Sequence, residues 1–579
     1  MSALYLVLSV FFCLPLFAQP NGLGGNDWDQ HLFYYGAVLK NVVEYGQAPF
    51  WNPWYCGGNV LWQNPQVALL SPVYPLTALM SLQLAMKVNI FLHYWIGFVG
   101  MHLLLARIMG VRFLPIVVYL ATLVTAAGAP AIHLAVGHSV FLPGFYLPLL
   151  VFLVIRAMRT GAVKDIALSG AILALMVFNG GVHILPMVFA AIGTFSLAAA
   201  VLARRWRPLV VMVLFVVAGL AFSAPKLLPV SLFVTGDRFW DTRNPTDHPD
   251  RMTWELLSHT YLDPDQGLRS KFDHQRHGWH EYGNYIGHFS AGVLVIGLAW
   301  ALVRRRPRGH WLGWSLAVTT LVLFALSLGE FSTVAPASIA THLPLFSSFR
   351  IPSRYTIPFL LFATMTAGWA LASATSLSIF TNRYARAAVA LVCILASAHL
   401  ISVNRRLFSN VFAQAPFDTT FHWMSGPHAI VTDWESSPYT PGAPMLRALM
   451  DDRSFFYCYE SLQLARTAVA DGGPVIADDK SHIVSTMFTP NRIEFKVLGG
   501  PEPSRLSLNQ NWSPGWTSTA GTVLEPGEAM PAVMLRPGQT GTFAFEFFPR
   551  GLIAGTAIFA FAVVAFALSW RQRLGHAIF

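Results

Sequence analysis

A chain of 579 residues that is 54% hydrophobic and 11% charged, with a mean hydropathy of +0.51, carries less than half the roughly 25% charge of a soluble domain, which excludes an ordinary water-soluble protein and points to an integral membrane one. The formal charge of +10 is large enough for a nucleic-acid binder, but the basic residues stand in short clusters between apolar runs and no nucleic-acid module is visible. Four cysteines without metal-type spacing exclude a zinc site built on thiolates.

In chain order, runs of roughly 17–25 residues that suit a bilayer crossing fall near 2–18, 88–107, 113–131, 140–158, 165–179, 182–202, 208–232, 285–303, 311–328, 355–380, 387–403 and 551–570, about twelve spans. The first lacks a basic leader and a small-residue cleavage site, so it is expected to remain as a span. The run 67–86 is broken by Pro72 and Pro75 and is expected to be re-entrant or interfacial. With the N-terminus inside, every inner segment is basic: Arg107 with Arg112, Arg156 with Arg159 and Lys164, Arg204 with Arg205 and Arg207, the arginines of 304–308, Arg383 with Arg386, and Arg571 with Arg573. That is the positive-inside pattern, and Lys87 is the main local exception.

This orientation places a first outer loop at 19–87, a second large one at 233–284 and a long tail at 404–550 on one face. The first loop is the richest in polar and aromatic residues. It carries Asp27 and Asp29 among tryptophans, with Asn52, Asn59, Gln63, Asn64 and Gln66. Such a stretch reads either as an interfacial belt of aromatic residues or as the wall of a binding site. Two carboxylates at this spacing could share a divalent cation, Mg or Mn, or divide base and hydroxyl-binding roles. A solvated turn is the plain alternative.

Further along, Lys226 in APKLLP lies near the outer end of a span, where it either snorkels or serves a ligand. Arg350 and Arg354 in FRIPSR go against the positive-inside bias and suit either a phosphate or an outer acid such as Glu330. Outer histidines are abundant, among them His133, His138, His183 and the series His274, His277 and His280, whose spacing weakly suggests a metal. Glu281, beside Tyr282 and Tyr285, is a better sugar contact, since a sugar takes carboxylates at its hydroxyls and an aromatic ring at its C–H face. His102, within a span, is expected to be a satisfied buried histidine. Cys56 and Cys458 are the outer cysteines and could be bridged.

From about Asn404 the chain becomes mixed in polarity. The alternation Arg492–Val497 and Thr542–Phe547, bounded by Thr489-Pro490-Asn491 and Pro537-Gly538-Gln539, predicts strands of a small β-rich, sandwich-like domain over 404–550. Residues 551–579 then supply the last span and a short cytoplasmic tail.

The order GNDWDQHLFYY, PFWNPWYCGGN, NPQ, APKLLP, EYGNYIG and FRIPSR, followed by NQNWSPGW and LRPGQTGTFAFEFFP in the tail, resembles the GT-C class of polytopic glycosyltransferases, and within it the YfhO-type bacterial branch. The resemblance covers nearly the whole chain through motifs that are each short. It implies a GT-C-like α-helical membrane domain over 1–403 with an extracytoplasmic β-rich domain. It also implies a polyprenyl-phosphate sugar donor and a cell-envelope glycan or lipid acceptor, used on the outer face of a bacterial inner membrane. Asp27, with Asp29 second, would be the catalytic base. Lys226, Arg350 and Arg354 would hold the donor phosphate. Trp51, Asn52, Gln63, Asn64, His138, Glu281 and Tyr285 would line the sugar or acceptor pocket. His183, in NGGVH, departs from the family's polar motif at that place. A transporter or flippase of lipid-linked glycans predicts polar residues in broken midplane helices, and a glycan-assembly protein without catalysis leaves the carboxylate and cation groups unexplained.

Overall fold

The computed structural model describes residues 1–235, 250–266, 272, 275–303, 311–343, 346, 349, 351–374, 382–417, 429–431, 442–455, 473–524 and 530–572. Its helices are α1 (Ser2–Cys13), α2 (Asp27–Val43), α3 (Leu82–Leu103), α4 (Leu114–Thr125), α5 (Gly128–Ala135), α6 (Leu147–Thr160), α7 (Val163–Phe178), α8 (Ile184–Ala203) and α9 (Arg207–Val234). They continue with α10 (Trp254–Leu262), α11 (Gly287–Val303), α12 (Trp311–Ser327), α13 (Pro336–Ala340), α14 (Thr356–Ala374), α15 (Arg383–Asn404), α16 (Pro444–Met450) and α17 (Leu552–Gln572).

All twelve expected apolar runs are mostly helical in their described residues. Among the described residues, seven helical segments are long and apolar enough to cross a membrane: Leu82–Met109, Leu114–Ala135, Ser139–Thr160, Ile184–Ala203, Arg207–Val234, Pro352–Ser373 and Arg383–Phe408. The runs at Ser2–Phe17, Gly287–Val303, Trp311–Ser327 and Leu552–Leu568 are shorter apolar helices, and α7 has 16 residues. The protein is a multi-pass α-helical membrane protein with a C-terminal β-sheet region. Small residues let the helices close on one another, as expected where no hydrophobic effect separates helix from lipid. A Cβ on Gly170 of α7 would lie 2.6 Å from the Cβ of Ala218 in α9, and one on Gly555 of α17 would lie 2.3 Å from the carbonyl oxygen of Ala224.

The stretch 19–87, expected as the first outer loop, departs most from expectation. It contains α2, a 17-residue helix whose first turn carries Asp27 and Asp29, favourable at the positive end of the helix dipole. Residues from Trp28 through Val38 of α2 are all buried, so the helix is core on nearly every side. Its apolar stripe is hidden because packed polar residues occupy the remaining faces. The short α16 lies across it at Gly36, where a Cβ would come within 2.8 Å of Leu449.

After α2, strands β1 (Trp51–Asn52) and β2 (Asn59–Val60) form an antiparallel hairpin. A short parallel pair, β3 (Ala429–Val431) and β4 (Arg453–Phe455), follows near α16. Then come β5 (Val475–Ala477), β6 (Ser481–Thr489), β7 (Arg492–Gly499), β8 (Ser504–Leu508), β9 (Trp516–Ser518), β10 (Ala532–Leu535) and β11 (Gly541–Phe547). They make two sheets, β10-β8-β5 and β6-β7-β11-β9, around a core of Ile493, Phe495, Val497, Leu506, Leu508, Val533, Phe545 and Phe547. The sheets thus occupy 475–547, inside the tail assigned to a β-rich domain. Trp51 and Val60 of the hairpin join this core.

The candidate active site

Asp27 opens α2, and the chain sets it against the end of α5. The Asp27 amide donates to the Val136 carbonyl at 3.1 Å, and the Trp28 indole N–H donates to the Leu134 carbonyl at 2.8 Å. The approach depends on Gly137, at φ +99°, where a Cβ would lie 2.3 Å from the Trp28 nitrogen. Only glycine suits both that backbone and that contact.

Two histidines stand on the α5 side. His133 is in α5, and His138 follows it with its amide donating back to the His133 carbonyl at 3.0 Å. Their Nδ1 atoms face each other at 3.0 Å. His138 Nε2 lies 3.2 Å from the Asp27 carboxylate, with both side chains mostly buried. The His133 ring stacks on Phe141 with centroids 3.8 Å apart.

Glu281 and Arg354 close the group. Glu281 ends a 3-10 turn (Trp279–Glu281), and Arg354 sits in another (Pro352–Tyr355) at the start of α14. The guanidinium binds the carboxylate through two hydrogen bonds, Nε to Oε2 at 2.7 Å and Nη2 to Oε1 at 2.5 Å. The Ser353 hydroxyl also donates to the Glu281 carbonyl at 2.8 Å. Arg354 lies over the Phe141 ring at 5.2 Å. One oxygen or nitrogen from each of His133, His138 and Glu281 falls within 4.8 Å of the others. Five chain segments meet here.

Burial sets the electrostatics. Burial alone would raise the Glu281 carboxyl, but the charge and hydrogen bonds of Arg354 overcome it and hold the group well below the usual carboxylate range. His280, whose ring is 5.0 Å from that of His138, is lowered to about 4, first by burial, against the pull of Glu281. His31, one turn along α2, is lowered to about 4 by burial, with Asp27 opposing and His138 adding to the shift. Both histidines are therefore neutral at physiological pH.

Beside the polar group lies a small apolar cavity, lined by Phe141, Pro130, Phe145, Ile184, Ile357 and Leu361 among others. Phe141 is common to both: it carries His133 and Arg354 and also lines the cavity.

Of the site residues expected from sequence, the structure brings Asp27, His138, Glu281 and Arg354 together. The others have different partners. Asp29 accepts the backbone amides of Met445 and Leu446 at 2.8 and 3.0 Å, so its carboxylate caps α16 and is not available to share a cation with Asp27. Burial pushes it up to about 7, against those two hydrogen bonds. Trp51 is fully buried, packs edge-on against Trp516 and at a tilt against Phe547 and donates to Gln510 at 2.9 Å. It anchors the β region and is not in the pocket. Asn52 accepts the Trp54 amide within its own hairpin.

Lys226 donates to the carbonyls of Trp62 and Asn64 at 2.6 and 2.8 Å, and Gln63 donates to the Pro229 carbonyl at 3.3 Å. These three hydrogen bonds stitch the first loop to α9. Proline explains the seam. Pro229 has no N–H to offer the carbonyl four residues back, and that carbonyl, Pro225, accepts the Trp62 indole at 2.9 Å. Tyr285 pairs its hydroxyl with His399 at 2.8 Å. His277 faces Asp250 at 3.8 Å, away from the helical series expected for it. His102 is satisfied by the Tyr5 hydroxyl at 2.9 Å, as expected, but is half-buried rather than buried. Arg350, His274 and the arginines of 304–308 lie outside the described residues. Cys56 is disulfide-bonded, Cys13 and Cys393 are free thiols, and Cys458 lies outside the described residues.

Sequence reasoning missed His133 and His31 as members of the site. The spacing of His133 and His138 was visible, but its meaning depends on Glu281, far along the chain.

No protein-family model matches the sequence, and no curated protein matches it. Among solved structures, the chain is similar to the arabinofuranosyltransferase AftD from Mycobacteria at 16% identity and TM-score 0.41, over 70% of this chain and 27% of that one. A mutant AftD aligns over 94% of this chain and 41% of its own, at 14% identity and TM-score 0.42. ArnT from Cupriavidus metallidurans, solved bound to undecaprenyl phosphate, aligns over 71% of this chain and 75% of its own, at 14% identity and TM-score 0.33. The chain thus spans about a quarter to two fifths of the AftD chains. Similarity at this level leaves the site to be read from its own residues.

Proposed function

We propose that this protein is a membrane glycosyltransferase of the GT-C type, which moves a sugar from a polyprenyl-phosphate donor to a cell-envelope glycan or lipid acceptor on the extracytoplasmic face. The observation that carries the reading is one juxtaposition. The Asp27 carboxylate and the Arg354 guanidinium flank the same histidine group, and that group adjoins an apolar cavity across Phe141. A sugar on a lipid phosphate needs those parts: a base for the acceptor hydroxyl, a cation for the departing phosphate and an apolar wall for the lipid.

In this reading Asp27 takes the proton from the acceptor hydroxyl as that oxygen attacks the anomeric carbon. The bond from the anomeric carbon to the phosphate oxygen breaks, and the lipid phosphate leaves with the electron pair. A single displacement of this kind inverts the anomeric centre. Two of the five N–H groups of Arg354 are committed to Glu281, which fixes the plane of the guanidinium and leaves donors for phosphate oxygens. Arg350, four residues earlier, is a second cation for the same role. Electrostatic preorganisation of this sort and general-base help each contribute on the order of 10²-fold or more.

The test is Asp27→Asn in isolated membranes supplied with a lipid-phosphate-linked sugar. Transfer is expected to fall by about 10²-fold or more, with expression and membrane insertion unchanged. Full transfer by the variant would remove Asp27 from the chemistry.

A further inference from the structure

We propose that His133, His138 and Glu281 form a binding site for one divalent transition-metal ion of the zinc class. The Nδ1 atoms of the two histidines point at one another 3.0 Å apart, and a Glu281 oxygen lies within 4.8 Å of both. Two nitrogens bound to one tetrahedral zinc at about 2.0–2.1 Å stand roughly 3.3–3.4 Å apart, so the pair is within a few tenths of an ångström of ligand spacing. Two imidazole nitrogens with a carboxylate oxygen are a donor set that favours zinc over magnesium, which takes oxygen ligands. Three protein ligands leave a fourth position for water or substrate, the pattern of a reactive zinc rather than a structural one.

The second ring nitrogen of His138 supports the assignment. His138 Nε2 is 3.2 Å from the Asp27 carboxylate. A proton on Nε2 directed at that carboxylate leaves the Nδ1 lone pair turned to the site, the carboxylate–histidine–metal arrangement that fixes the tautomer of a ligating histidine. Each Glu281 oxygen accepts one hydrogen bond from Arg354 and keeps a further lone pair for a metal.

Charge gives the ion a purpose, and this step alone rests on the glycosyltransferase reading. Among the described residues of the group, Asp27 and Glu281 contribute two negative charges and Arg354 one positive, a balance that works against a phosphate. A bound divalent cation reverses its sign and makes the pocket attractive to the lipid phosphate.

The full chain, purified in detergent without chelators, is expected to carry one equivalent of zinc, to lose it to a strong chelator and to take up one equivalent again. Cobalt(II) in its place is expected to give the intense visible bands of a tetrahedral ion. His133→Ala is expected to abolish stoichiometric binding, and Asp27→Asn to weaken it about 10- to 100-fold. His259→Ala, outside the group, is expected to bind as the parent does. No stoichiometric uptake after loading overturns the site, as does undiminished binding by a folded His133→Ala chain. Where His133→Ala fails to fold, the cobalt spectrum of the unaltered chain decides, and bands of octahedral weakness overturn the site. Zinc binding and sugar transfer are read separately. Zinc bound without transfer refutes the enzyme and keeps the site, whereas full transfer by a chain that takes up no metal on loading refutes the site and keeps the enzyme.

Discussion

Asp27 and Asp29 are two positions apart, and that interval means opposite things in a loop and in a helix. A loop can turn both carboxylates to one ion. In α2 they point about 200° apart, so Asp27 faces His138 while Asp29 turns to the first turn of α16. Asp29→Ala is therefore expected to cost about 1–2 kcal/mol of stability through the lost cap, read as a lower unfolding midpoint in detergent. Transfer per folded molecule should stay near the parent value. A loss as deep as that of Asp27→Asn would return Asp29 to the chemistry.

His31 gives a pH prediction. Its folded value of about 4 lies below its ordinary 6.5 because it is buried, so between those values the unfolded chain binds a proton that the folded chain refuses. Stability from this group is fully present above pH 6.5 and is lost as pH falls toward 4, by about 3 kcal/mol in all. Asp29, raised to about 7, works in the opposite sense, and comparing a variant with its parent cancels it. His31→Gln should gain in unfolding midpoint relative to the parent as pH is lowered from 6.5 to 4. A constant difference across that range would contradict the burial argument.

At the scale of elements, the stretch 19–87 is a clamp as well as part of the candidate site. Its helix seats α16, its hairpin enters the β core through Trp51 and Val60, and the turn after the hairpin, at Trp62 and Asn64, is tied to α9 by Lys226. A lysine near the end of a span invites a phosphate-binding role from sequence, but this ammonium is 1% exposed and bound to two carbonyls. Lys226→Met is expected to leave those carbonyls without their donor and to cost about 1–3 kcal/mol, with the KM for the lipid donor unchanged. A selective rise in that KM with normal stability would restore the phosphate role. The helix α2 was not legible because helix reading relies on an apolar stripe with a polar back, and a helix buried on nearly all sides has no such back.

For the whole molecule, the basic clusters around 107–112 and 156–165 and the site group belong to different ends of the bundle. Arg159 donates to the Ile108 carbonyl at 3.2 Å, and Arg156 pairs with Asp165 at 2.8 Å, so the segments around 107–112 and 156–165 meet at one end. Asp27, His138, Glu281 and Arg354 gather at the other ends of their helices. In the proposed topology, which follows the positive-inside rule, the first end faces the cytoplasm. A cysteine at Thr160 should then react with an impermeant thiol reagent only from the cytoplasmic side, and one at Lys480 only from the outer side. Labelling of both from one side would invert or break the proposed topology.

Membrane class, the apolar helices and the alternating strands at Arg492–Val497 and Thr542–Phe547 were determined by the sequence alone, because hydropathy and periodicity are local properties of a short window. Tertiary structure alone decided what each polar group does. Asp27, His133, His138, Glu281 and Arg354 come from distant stretches and acquire a role only where α2, α5 and α14 converge. Asp29, Trp51 and Lys226 look equally suited to a site, yet each is spent on a backbone amide, a β core or a carbonyl. A buried polar group must find a partner, and the fold decides which one is within reach.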